Sequence, residues 1–251
     1  MARSAVSFVL LVTVGAALAA PKSLPDSWSV CKKSDPQLQK CFKEAVSQAI
    51  HGLAESGEPS LGIFTVDPLR MTQLNIGQGT GPVAIDLEFR DLDLMGMKGA
   101  VFDDATIDPK TYDITASLHV PTGLTLDGQY SIKGKVLVLP INGDGHCHLK
   151  LADPVLRADI RGVPVKRGSE TFFNVTTFAF TLETKKLSLN FENLFNGNKE
   201  LGSTMNHFLN ENSAEVLKEL KPAISDGFGE VFKQIANRVF SKVPLDKIYP
   251  D

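Results

Sequence analysis

The sequence predicts an α+β fold in which a long antiparallel sheet curves around a long C-terminal α-helix. Three observations carry this. Apolar residues recur at spacings of three and four near the start of the chain, at a spacing of two through its middle, and at three and four again through its last part.

The elements follow in order. Arg3 is followed by an apolar run, Val6 to Leu18, that is too short to span a bilayer and ends in Ala16, Ala17, Ala19 and Ala20. Residues 1–19 read as a signal peptide cut after Ala19, with Ala17 and Ala19 as the small residues the peptidase requires. Residues 20–251 then read as a single domain, because no Pro/Ser-rich linker, charge block or internal repeat divides them. No later segment approaches the roughly 18 uninterrupted apolar residues of a membrane span. The expectation is a secreted, extracellular protein with no stable membrane insertion.

Between Asp35 and Gly57, Leu38, Cys41, Phe42, Ala45, Val46, Ala49, Ile50 and Leu53 form one apolar stripe, which predicts an amphipathic helix. Ser34, Asp35 and Pro36 supply its start and Gly57 its stop. From about Leu74 to Phe191 the alternation of Val83, Ile85, Leu87 and Phe89, of Tyr112, Ile114, Ala116, Leu118 and Val120, and of Leu187, Leu189 and Phe191 predicts half-buried strands. Turn formers punctuate them at Gly77 and Gly79, Gly81-Pro82, Asp108-Pro109, Pro121 to Gly123, Asn142 to Gly145 and Gly162 to Pro164. Short turns without intervening helices require mostly antiparallel pairing, in a meander or roll.

Helical spacing returns with Leu201, Met205, Phe208 and Leu209, then Val216, Leu217 and Leu220, and continues past Pro222 through Ile224, Phe228, Val231, Phe232, Ile235, Val239, Phe240 and Val243. A helix from Ser213 to Lys242 is about 45 Å long at about 1.5 Å per residue. Pro222 is expected to kink rather than end it. So long a helix, with Phe at many inward turns, requires a long, curved sheet to cover it.

Charge and cysteines bound the partners. Without the leader, 25 Lys and Arg face 29 Asp and Glu, interspersed, which gives no electrostatic reason to expect nucleic acid. Cys31 and Cys41 are close enough in sequence to bridge in an oxidising compartment, pinning the chain to the first turns of the helix. Cys147 is left over, as a small buried hydrophobe or a reactive thiol. Asn174-Val175-Thr176 is the single N-x-S/T sequon, which makes Asn174 the candidate glycosylation site.

Catalytic patterns are scarce. The chain has no G-x-S-x-G, G-x-x-x-x-G-K-[ST] or H-E-x-x-H, and Gly77 to Gly81 lies between strands, with no helix N-terminus to hold an anion. His146 and His148 share a strand face after the expected Asn142 to Gly145 turn, which supplies two metal ligands at most and leaves them solvent-facing. Asp103 and Asp104 are adjacent, so a strand sends them to opposite faces, unsuited to paired acid–base work. The reading is therefore a non-enzyme with no cofactor and no metal. Its 15 Phe, against three Tyr and one Trp, supply apolar area without polar groups to satisfy.

Several stretches resemble one family. They are Cys31-Lys32-Lys33-Ser34-Asp35-Pro36 through Leu38 to Cys41; Leu61-Gly62 and Asp67-Pro68-Leu69; Leu126, Gly128, Tyr130, Ile132 and Gly134-Lys135-Val136; Leu139-Pro140-Ile141, Gly143 and Gly145; Asn193 to Asn198; and the tail Pro244 to Pro250. In their order they resemble the takeout and juvenile-hormone-binding protein family of insects, over about Val30 to Pro250. The resemblance implies a super-roll, a highly curved antiparallel sheet around the C-terminal helix that encloses an apolar tunnel. It also implies a secreted carrier of hydrophobic molecules, such as terpenoid hormones and acyl or isoprenoid lipids, linked to feeding, circadian output or chemosensation. The family's hormone carriers have a second disulfide, and Cys147 has no obvious mate, which places the chain on the takeout-like side.

On this reading the tunnel lining comes from Phe228, Val231, Phe232 and Ile235 of the helix and from Val136, Val138, Phe178 and Phe180 of the strands, with Tyr130 as the polar contact or, alternatively, a hydroxyl reaching solvent. The partner is a small hydrophobic ligand, and the protein a monomer. The competing reading is an extracellular modulatory protein that acts through protein contacts with a filled core. The volume of the inward side chains separates the two.

Overall fold

The computed structural model describes residues 23–78 and 81–251. The leader 1–19 and part of the Gly77 to Gly81 turn lie outside these residues. Helix α1 spans Leu38–Glu55, starting slightly later than the sequence suggests. The Asp35 carboxylate accepts a hydrogen bond from Gln37 N at 2.8 Å, so its capping capacity is used one turn before the helix proper. Cys41, in the first turn, is disulfide-bonded to Cys31. The chain leaves the helix at Gly57, whose φ of 69° is open to glycine without strain.

Among the described residues nine strands follow: β1 Leu69–Gln78, β2 Val83–Met95, β3 Val101–Ile107, β4 Ile114–His119, β5 Leu124–Val136, β6 Leu139–Ala152, β7 Val155–Arg167, β8 Glu170–Glu183 and β9 Lys186–Phe191. Every pairing is antiparallel, and the ladder divides into two sheets, β1-β2-β5-β6-β9 and β3-β4-β7-β8. The alternation that predicts β2 breaks in its middle for a reason. Val83, Ile85, Leu87 and Phe89 are buried, and then Leu92 and Leu94. A bulge between Arg90 and Asp93, with Asp91 at φ 47°, inserts the extra residue that keeps both groups on the inner face.

Two expected turns are strand interior. Asn142 to Gly145 pairs residue for residue with Tyr130 to Lys133 inside β6. The β5–β6 hairpin reverses instead at Leu137-Val138, with Leu137 at φ 56°. Gly143 is glycine for a side-chain reason, since a Cβ there falls 2.6 Å from Tyr130 Oη. Gly162 to Pro164 likewise sits within β7 at a bulge. Pairing of β7 with β4 ends at Ile160, so Pro164 lies where only β8 flanks the strand and its missing N–H breaks no ladder.

Helices α2 (Lys199–Glu211) and α3 (Ser213–Phe240) close the chain, followed by a short turn of helix, α4, at Leu245–Ile248. Pro222 is inside α3, as expected. At about 1.5 Å per residue α3 is about 42 Å long. It packs on β8, β1 and β9, so it lies between the rims of the two sheets. The contact is close because Gly227 and Gly229 face those rims. A Cβ on Gly229 falls 2.6 Å from the Phe178 carbonyl oxygen, and one on Gly227 falls 3.0 Å from Ile76 Cδ1.

Candidate binding cavity

Large apolar residues fill the inner faces of β2, β5 and β6, whereas the inner face of the four-stranded sheet sets small residues among large ones on its two central strands. Ala116 of β4 lies directly opposite Ala158 of β7. Ala45 and Ala49 of α1 and Ala236 of α3 turn toward the same space. The side chains at these inward positions are too short to meet, and a cavity of about 320 Å³ remains between α1, the inner face of β3-β4-β7-β8 and the C-terminal half of α3. Phe42, Ile50, Ile107, Ile160, Val239 and Phe240 complete much of its wall, and Leu245, Ile248 and Tyr249 of the tail form one end. The lining is apolar apart from a few groups: Ser29, the tips of Trp28, Tyr112 and Tyr249, and Arg157, itself an exposed residue. In α3, Gly229 is the one fully buried residue beyond Leu220. Phe232, Ile235 and Val239 keep partial exposure because they project into this volume.

A second cavity of about 120 Å³ lies under the five-stranded sheet, walled by Ile85, Leu87, Phe89, Leu126, Ile132, Val136, Leu149 and Leu189 and by Val216, Leu220, Ile224 and Phe228 of α3. Leu156, Phe180 and Phe232 border both spaces. The Phe180 and Phe232 rings meet edge-on at 5.1 Å, with Phe178 at 5.7 Å and Phe228 at 6.1 Å from Phe232. Leu156, Phe180 and Phe232 thus partition one long apolar space that runs beside α3. Water gains little there, since an apolar cavity returns few of the hydrogen bonds a water gives up on entering. An apolar molecule gains its full burial.

The sequence-predicted lining residues separate on this geometry. Phe178 and Ile235 lie on the larger cavity, Val136 and Phe228 on the smaller, and Phe180 and Phe232 on both. Val231 packs into the surrounding core and borders neither. Val138 is 87% exposed, because the hairpin reverses beside it and turns its side chain to solvent. Tyr130 does not serve as the polar contact expected of it. It is fully buried away from both cavities, with its ring 4.7 Å from Phe191 and its hydroxyl donating to the Glu192 carbonyl at 2.6 Å. The α1 stripe and Ala116 are apolar by periodicity, but periodicity does not say that they face a cavity rather than a packed core.

Other candidate residues lie elsewhere. His146 and His148 flank buried Cys147 on β6 and so occupy the outer face. Each bonds one oxygen of Asp127 across the ladder, at 2.8 and 2.9 Å, rather than facing solvent alone. These hydrogen bonds, His148's foremost, hold the Asp127 carboxyl below its ordinary pKa. Burial pushes the Cys147 thiol up to about 12. Asn174 is exposed on β8. Among the described residues no helix is long and apolar enough to cross a membrane.

Residues 8–250 match the family described as haemolymph juvenile hormone binding protein. The chain is 26% identical to a Schistocerca gregaria protein named "Putative beta-carotene-binding protein", covering 86% of each. It is 24% identical to the circadian clock-controlled protein daywake of Drosophila melanogaster, over 96% of this chain and 94% of that one. Takeout 1 of Epiphyas postvittana superposes with a TM-score of 0.73 at 28% identity, covering 88% of this chain and 99% of that structure.

Proposed function

The chain belongs to the haemolymph juvenile hormone binding protein family, a family of hydrophobic-ligand carriers, and on that premise we propose that it is secreted, binds without catalysing a reaction, and takes a terpenoid or other isoprenoid, or a fatty acyl chain, into the space beside α3. The apolar cavity of about 320 Å³ carries this reading. A protein that works through its outer surface alone has no use for an unfilled interior, which costs it packing energy, so the cavity counts against the modulatory reading. The name of the Schistocerca gregaria relative, an isoprenoid hydrocarbon binder, and the family's own description, which names a terpenoid hormone, support the isoprenoid class. The daywake likeness supports a circadian setting. The Cys31–Cys41 disulfide and the haemolymph description support secretion.

Burying about 300 Å² of ligand at about 25 cal/mol per Å² gives about 7 kcal/mol, a micromolar-scale affinity before ordering costs. A single hydrogen bond adds about 1 kcal/mol, so polar contacts choose among ligands rather than create affinity. The test is to purify the protein without denaturation from an expressing insect cell culture, extract it with organic solvent and analyse the extract by mass spectrometry. The expected result is one or a few apolar molecules in near-stoichiometric amount. A protein that neither retains nor takes up any such molecule ends the proposal.

A further inference from the structure

The loop that joins β5 to β6 is built of residues ill suited to a loop that only has to turn. Two-residue hairpin loops favour glycine, asparagine or aspartate, which accept a positive φ and are at home in water. Here Leu137 takes φ 56°, and Val138, at 87%, is the most exposed large apolar side chain among the described residues. Leu137 and Leu139 rest partly against the core, and Pro140 is exposed beside them. Both choices count against the free protein, since leucine is strained at positive φ and valine gains nothing in water.

The tip is also basic. Between Asp127 and Asp144 the chain carries Lys133 and Lys135 and no acidic residue, and both lysines are exposed. Lys135 stands between Ala84 and Pro140 in the ladder, while Asp86, across from Lys133, is three rungs back from Val136. An apolar tip flanked by lysines suits an anionic lipid surface, because the valine enters among the headgroups while the ammonium groups lie level with the phosphates. A folded protein partner fits less well. A stable protein interface covers about 800 Å² of each partner, more than a loop of a few residues presents. Behind the loop, Ile132 and Val136 belong to the wall of the smaller cavity, so a surface touched by the tip lies next to that space.

We propose that the β5–β6 hairpin tip docks the protein reversibly on anionic membranes, with Val138 inserted and Lys133 and Lys135 on the lipid phosphates. The proposal goes beyond the carrier reading and does not depend on it, since docking needs no cargo.

The experiment is cosedimentation of the purified protein with sucrose-loaded vesicles of phosphatidylcholine containing about 30% phosphatidylserine, an anionic lipid of the kind the lysines would meet. Val138→Asp is expected to weaken binding by about tenfold, and Lys133→Gln and Lys135→Gln by about fivefold each. A label reads the docking position without removing the lysines. Val138→Cys carrying the fluorophore NBD, which burial of Cys147 confines to the new thiol, is expected to shift its emission to the blue when vesicles are added. The same label at Glu44→Cys, on exposed α1 surface, is expected not to shift. A wild type that does not sediment with the vesicles, binding that Val138→Asp leaves unchanged, or an unshifted emission from position 138 while the protein is bound overturns the proposal. In each of these cases the carrier reading stands.

Discussion

Tyr130 is held from three sides, by the Phe191 ring, by the Glu192 carbonyl that accepts from its hydroxyl, and by the bare backbone of Gly143 beneath it. Tyr130→Phe removes the donor and leaves that carbonyl unpaired, so we expect a loss of about 1–2 kcal/mol in urea denaturation with ligand affinity unchanged. A drop in affinity without a drop in stability would return Tyr130 to the binding site. Cys147, on β6 beside the rim strand β9, has its thiol pKa pushed up by burial to about 12. At pH 8 the folded protein therefore holds almost no thiolate, and maleimide labelling is expected only in denaturant. Mass spectrometry of labelled protein with and without urea measures this directly.

The helices hold the sheets by means that periodicity does not reveal. Asn206 and Asn210 of α2 each bond both the N–H and the carbonyl of one β9 residue, Phe191 and Leu189 respectively. The spacing matches, because four helical residues rise about 6 Å and two strand residues about 6.6 Å. Asn237 of α3 does the same to Val175 of β8, and Gln39 of α1 to Ile107 of β3. The seating of α3 is testable at its two glycines. Gly229→Ala drives a methyl against a backbone oxygen at 2.6 Å and is expected to cost about 1–3 kcal/mol. Gly227→Ala crowds the tips of Ile76 and Leu74, which can yield, meets the Asn75 carbonyl oxygen only at an ordinary 3.5 Å, and gains about 1 kcal/mol of helix propensity, so its stability is expected near wild type. Paired urea melts distinguish them. Element type was legible in this sequence wherever one face is buried, as in α1, β2 and α3. The turns at Asn142 to Gly145 and Gly162 to Pro164 were misread because glycine marks a close approach as readily as a reversal, and which of the two applies depends on a residue from a neighbouring strand, here Tyr130 and Phe173.

At the scale of the whole molecule, helices α1 and α3 and two sheets surround two apolar spaces of unequal size, partitioned by Leu156, Phe180 and Phe232. Phe232→Ala is expected to join them. The stability loss should be about 3 kcal/mol, at the low end for a buried Phe because the ring already borders empty volume. Preference in a dye-displacement series of fatty acids should move to longer chains, and a variant with unchanged chain-length preference would show that the partition does not limit the cargo. Residue pattern alone could not reveal these cavities: the same stripe of Phe serves a packed core, and what opens the space is a set of alanines that face one another across strands and helices far apart in sequence. The amide clips on β9, β8 and β3 carry a further consequence. A curved sheet that does not close into a barrel leaves rims whose free N–H and C=O groups can template a strand from another molecule. Three of the four rims here meet a side chain that completes the ladder locally, which leaves fewer free backbone groups from which growth, edge by edge, into fibrils could start.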